Sequence, residues 1–379
     1  MVDKKRKFNG FVTVNTLDAK QLFGERLRRA RLMRGLTLRE LAEQLGQFGT
    51  TLSHAALQKY EKGLMGPDST VLMALARLLE LDPGYFFRST SVELERIEFR
   101  KLTKFPVREV NRIREEAADY FERYLQIEVI LEIRTPSLPQ ADLSGYSPED
   151  TDGLSIAAEK AANQIRQQWK LGEDALTNIH EILEEHGVKV KEVEAAEGFD
   201  GFSGWADAGT PVIVLAAGLN QDLPRKRLTA LHELAHLVLK LPTGLTHKQK
   251  ESLCYRFAGA LLLPAGALRT RVGTKRPDGI SFRERIGIKQ DWGISIAALM
   301  RRAADLGIIT ASQLRSFHFQ NIAQRKNEPG RWEGSEHADR YDQLVYRAAA
   351  QELITRSKAA ELMGMTAREF DHQFASECN

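Results

Sequence analysis

The stretch Leu228-Thr229-Ala230-Leu231-His232-Glu233-Leu234-Ala235-His236 decides how the rest of the chain is read. Residues four apart on a helix share a face, so His232 and His236 point their imidazoles the same way and can hold one ion. Leu231, Leu234, Ala235 and Val238 form an apolar stripe that buries the other side. A catalytic zinc takes three protein ligands and keeps a fourth position open. Glu233, adjacent to the first histidine, is placed to act as general base toward water that the ion acidifies. The spacing predicts a helix from about Leu223 to Leu239.

A five-residue pattern can arise by chance, so the third ligand matters. Downstream, Glu251-Ser252-Leu253-Cys254-Tyr255-Arg256-Phe257-Ala258 continues through Leu261-Leu262-Leu263-Pro264 as an amphipathic helix stopped by proline. Glu251 lies 15 residues after His236, far enough for a turn and a returning helix. Cys254, one turn further, and His247, on the intervening loop, are rival ligands. Cys254 shares a face with Ala258 and Leu261 and reads as a small buried residue. Tyr255, His247 and Trp205 are within reach of an oxyanion role, and the sequence favours none of them.

Working outward, helices are predicted over 155–170 and 178–186. Strands are predicted over 188–193, 199–206 and 212–215, with the last pair joined by the turn 207–211. Phe202–Ala206 is a candidate sheet edge for an extended peptide. Residues 91–134 are charged and helical in pattern and read as a spacer or dimer contact; the Pro- and Ser-rich stretch to Gly153 marks a boundary. Residues 281–317 and 341–374 are again helical, separated by a polar loop over 328–339. Ser357–Gly364 followed by a capping box at Thr366–Glu369 outlines two helices, read as a helical hairpin packed on the core or as another binding unit.

At the other end, residues 21–87 read as five short helices. Thr37-Leu38-Arg39-Glu40 is a capping box, Gly46 ends that helix, and Ser53 is the N-cap of the next. The string Leu41-Ala42-Glu43, Gly46, Ser53, Lys59-Tyr60-Glu61-Lys62-Gly63, Pro67, Leu75-Ala76 and Leu81 resembles the XRE (Cro/cI-like) helix-turn-helix. The resemblance implies that the helix after Ser53 enters the DNA major groove. Ser53, His54, Gln58 and Lys59 would then approach bases, with Arg39 near a phosphate. The turn Gln47–Leu52 departs from the family by about five extra residues. Residues 1–70 hold 13 Lys and Arg against 7 Asp and Glu, a local positive charge that suits a polyanion.

The two metal-site helices, with the hairpin Gly201-Phe202-Ser203-Gly204-Trp205 to Val212-Ile213-Val214, resemble the ImmA/IrrE family of zinc metallopeptidases over about residues 155–270. That resemblance implies zinc held by His232, His236 and Glu251, with Glu233 as base. It also implies a protein substrate, an XRE-type repressor or a toxin–antitoxin partner.

The bulk numbers agree. The chain has 379 residues, 42 % of them hydrophobic, enough for two or three domains. Two cysteines, Cys254 and Cys378, make no disulfide framework. No stretch reaches the roughly 20 apolar residues of a membrane span. The basic Met1–Phe11 lacks the apolar run of a secretory signal, so a cytoplasmic protein is expected. The expected fold is multidomain and mainly α with a small α+β part. It comprises an XRE-like bundle at 20–90, a charged connector at 91–150, a zincin-like domain at 151–275 and a helical region at 276–379. The expected function is a DNA-binding regulatory zinc metallopeptidase, with a homodimer compatible. The alternative is a repressor or antitoxin-like DNA-binding protein whose metal site is not catalytic.

Overall fold

A computed structural model describes residues 13–14, 18–97, 105–207, 209–320 and 328–377. The basic Met1–Phe11 segment and Cys378 lie outside them. Three hydrophobic cores organise the described residues.

The N-terminal core is a helical bundle of α1 (Ala19–Met33), α2 (Leu38–Leu45), α3 (His54–Glu61) and α4 (Ser69–Leu79), closed by a 3-10 turn at Pro83–Phe87. Phe23, Leu27, Leu41, Leu45, Leu57, Leu75 and Phe86 fill it. Thr37 and Glu40 form the expected capping box on α2. α1 and α3 approach closely because residue 24 is glycine: a β-carbon there would lie 2.3 Å from the Tyr60 carbonyl oxygen. Gly46 does not end α2 as sharply as expected. The chain continues through a 3-10 turn, Gly46–Phe48, and the left-handed residue is Gly49, at φ 75°. The long turn is thus partly structured, with Thr50 buried and Phe48 exposed.

The other two cores lie on opposite faces of a four-stranded sheet, ordered β3–β6–β7–β5. The strands, numbered after the separate antiparallel pair β1 (Thr13–Val14) and β2 (Thr90–Ser91), are β3 (Leu94–Glu95), β5 (Lys189–Val193), β6 (Gly201–Ala206) and β7 (Thr210–Ala216). β7 pairs parallel with β5 and antiparallel with β6, and β6 pairs antiparallel with β3. The β-branched run of β7 is buried throughout, and its alternation assigns the faces. Ile213 and Leu215 point to one core, Val212 and Val214 to the other.

The first face carries α6 (Thr151–Gln168), α7 (Ile179–Glu185), α8 (Leu223–Val238) and α9 (His247–Leu262). Behind them come α10 (Ala265–Val272), α11 (Phe282–Trp292), α12 (Ile296–Asp305) and α13 (Ala311–Gln320), whose apolar residues join the same core. Glu159 of α6 ties the helices together, receiving hydrogen bonds from Arg256 on α9 and Arg302 on α12. After α8 the chain forms β8 (Leu239–Lys240), parallel to β4 (Ala141–Asp142).

The second face is covered by α5 (Val107–Ile130) together with α14 (Arg340–Ala350), α15 (Arg356–Met363) and α16 (Ala367–Glu377). The connector is therefore not a spacer. Ile113, Ala117, Phe121, Tyr124 and Leu125 are buried on the sheet, and the Tyr120 and Tyr341 rings meet at 5.0 Å. Its charges are paired inward. Glu122 accepts two hydrogen bonds from Arg26 of α1 at 2.8 and 2.7 Å, and Glu128 accepts one from Lys189 at 2.5 Å. The polar loop over 328–339 is likewise anchored. Buried Glu336 caps α7 through the Ile179 N–H and bonds Arg227, whose guanidinium stacks on Trp332. The cores thus draw described residues of 91–150 and 276–379 onto the same sheet and helices as those of 151–275.

Candidate metal centre and nucleic-acid interface

α8 starts at an Asp222 N-cap with Pro224 in its first turn, and runs beneath β6 and β7. His232 and Glu233 are buried at 2 % and 3 % exposure, His236 nearly so. α9 starts at a Thr246–Gln249 capping box and returns antiparallel to α8. His247 is its first residue, exposed, and not on a loop.

The two histidine Nε2 atoms lie 3.2 Å apart. Glu251 brings one carboxylate oxygen to 3.3 Å from His232 Nε2 and the other to 3.2 Å from His236 Nε2. Two nitrogens at about 2.0–2.1 Å from one tetrahedral zinc would be separated by about 3.3 Å. The donor atoms therefore fit such an ion. Among the described residues, His232, His236 and Glu251 are the one group of three so arranged.

Electrostatics point the same way. Burial works against a charged His236, but Cys254, Glu251 and Glu233 outweigh it, and the pKa rises to about 10. The surroundings favour positive charge where the imidazoles converge, and a divalent ion supplies it in place of the proton.

Cys254 is buried, and its Sγ lies 3.6 Å from Nδ1 of His236, the nitrogen on the far side of the ring from Glu251. Burial pushes its thiol pKa up, against the pull of His236. Cys254 thus contacts His236 on the nitrogen away from the cluster that His232, His236 and Glu251 form. Its spacing hinted at burial, but the contact depends on how α8 and α9 pack. Ser203 was missed entirely. It lies on the α8 side of β6 and donates to Glu233 Oε2 at 2.9 Å, inside the protein. The alternation of β6, which puts 203 and 205 on one side and 202 and 206 on the other, was the available signal. The Tyr255 ring covers His232, with centroids 4.1 Å apart, and remains half exposed.

The nucleic-acid face is simpler. His54, Gln58 and Lys59 are exposed along α3, and Arg39 is exposed on α2. Ser53 is also exposed, but its Oγ accepts from the Ala56 N–H at 3.2 Å, so the hydroxyl is engaged as the helix cap. Arg31 of α1 holds α3 in place through two bonds to Glu61, at 2.6 and 3.0 Å.

Residues 27–86 match the family model described as a helix-turn-helix, and residues 183–304 match that of the IrrE N-terminal-like domain. The second match runs past residue 275, through α10, α11 and most of α12. No curated protein and no solved structure matches the chain.

Proposed function

We propose that this chain, an XRE-type helix-turn-helix joined to an ImmA/IrrE-type peptidase domain, is a DNA-binding regulator that hydrolyses a peptide bond in a partner transcriptional repressor. The observation that carries the reading is the meeting of His232, His236 and Glu251 beside a buried Glu233 that Ser203 holds by one oxygen.

His232, His236 and Glu251 would hold zinc. Bound there, the ion would polarise a scissile carbonyl and make water acidic enough to ionise near neutral pH. Glu233 takes the proton from the attacking water and passes it to the leaving amine. Ser203 fixes which carboxylate oxygen faces the cleft. With Cys254 accepting the Nδ1 proton of His236 across 3.6 Å, the Nε2 lone pair would be left free for a metal. The apolar stripe of Leu231, Leu234 and Ala235 shuts bulk water out from behind. On the DNA side, Gln58 and His54 are placed for base edges, and Lys59 and Arg39 for phosphates. No described helix is long and apolar enough to cross a membrane.

The test incubates zinc-loaded wild-type and Glu233→Gln protein with helix-turn-helix repressors encoded by neighbouring genes, with and without chelator. Cleavage by the wild type alone, abolished by chelator and reduced at least about 100-fold by the substitution, is expected. Intact repressors in every tube, with zinc and operator DNA both bound, would favour the repressor with a non-catalytic metal site.

A further inference from the structure

The sheet edge beside the metal helix is already paired. β3 lies antiparallel to β6, with Leu94 opposite Ala206 and Glu95 opposite Trp205. Just before it, the Asp207 N–H donates to the Glu93 carbonyl at 3.1 Å, and the Glu93 N–H to Asp207 Oδ1 at 3.0 Å. Just after it, the chain stays against the strand: a β-carbon on Gly204 would meet the Glu95 carbonyl oxygen at 2.9 Å and the Ile97 side chain at 3.2 Å. The segment therefore runs along β6 from Asp207 toward Ser203, the residue that donates to Glu233.

Its side chains sort as a docked strand's do. Val92 and Leu94 are buried and Glu93 and Glu95 exposed; the alternation stops at Arg96, exposed and at φ 54°, after which Ile97 is buried again. This is the geometry by which an extended peptide adds to a sheet, main-chain bonds giving affinity and alternate side chains giving selectivity. The segment is also gripped from the helix-turn-helix side. Arg29 of α1 donates to the Val92 carbonyl at 2.7 Å while pairing with Glu115 of α5 at 2.9 Å. Two paired residues make a short strand with few main-chain bonds, which a competing peptide can replace.

Resting on the peptidase reading, we propose that the outer edge of β6 is the docking site for an extended peptide with apolar residues at alternate positions. Residues 92–97 are its resident occupant, held there by Arg29, so the helix-turn-helix module controls substrate access. The linker and the substrate compete for one edge.

The experiment uses the full chain and a fluorescein-labelled peptide with the sequence of Thr90–Ile97. Glu95→Pro removes a main-chain donor at an exposed position, and Arg29→Gln loosens the grip from α1. Fluorescence anisotropy is expected to show at least tenfold tighter peptide binding to Glu95→Pro than to wild type, with Arg29→Gln in between. Hydrogen exchange at Ser203–Ala206 is expected to speed up in Glu95→Pro. Equal peptide affinity across the three proteins, with circular dichroism showing them folded, overturns the proposal. If Glu95→Pro does not fold, the comparison of Arg29→Gln with wild type decides alone. The repressor-cleavage assay with wild-type and Glu233→Gln protein separates this from the peptidase reading. Tighter peptide binding with no Glu233-dependent hydrolysis keeps the docking edge and removes the peptidase.

Discussion

The two helices that hold the candidate site residues of this chain are built on opposite principles. On α3 the candidate DNA-contacting side chains, His54, Gln58 and Lys59, are exposed, and Leu57 and Tyr60 are buried. On α8 the candidate site side chains are themselves buried: His232 faces His236 and Glu251, and Ser203 bonds Glu233. An exposed reading face tolerates substitution and gains its meaning from a partner. A buried site depends on every neighbour, so changes beside it should cost as much as changes in it.

The largest expected effect tests whether the two regions are coupled. Arg26 of α1 and Glu122 of α5 form a bidentate ion pair in which both side chains are at most 2 % exposed. Glu122→Ala leaves a buried guanidinium without its carboxylate and should lower stability by about 3–5 kcal/mol. Chemical denaturation checks this. A loss below about 1 kcal/mol would mean that this pair does not couple the bundle to α5.

Next comes the inward-facing site. Cys254→Ala removes the partner of His236 Nδ1 and should weaken zinc about 10- to 100-fold, read by competition with a chromophoric chelator, with DNA affinity unchanged. If zinc affinity does not move, the buried site is less dependent on its neighbours than α8 implies. The outward-facing helix should respond less and more selectively. Gln58→Ala should cost about 1–3 kcal/mol on operator DNA and relax one base position, whereas Lys59→Ala should weaken all sequences alike and lower the salt slope by about 1. Operator titrations at several salt concentrations separate them.

How much of this the sequence disclosed follows the same division. The His232–His236–Glu251 cluster was legible because helical spacing places the two histidines, and Glu251 is a carboxylate one turn into the returning helix. The helix starts were legible because Thr37, Ser53 and Thr366 cap locally. What escaped were contacts between distant parts of the chain. Ser203 meets Glu233 only once β6 lies over α8. α5 looked solvated because Glu122 and Glu128 are charged, and their partners Arg26 and Lys189 lie 96 and 61 residues away. Glu336, inside a stretch that reads as polar loop, is buried on Arg227 and the N-terminus of α7. β3 is two residues long and shows no periodicity, so the edge expected over Phe202–Ala206 read as open when its end was already paired.

The most direct test of the buried site is X-ray absorption at the zinc edge of the metal-loaded protein. The arrangement of His232, His236 and Glu251 predicts two imidazoles and one carboxylate at about 2.0–2.2 Å, and no sulfur shell. Scattering from sulfur at about 2.3 Å would place Cys254 in the ligand set and contradict the site described here.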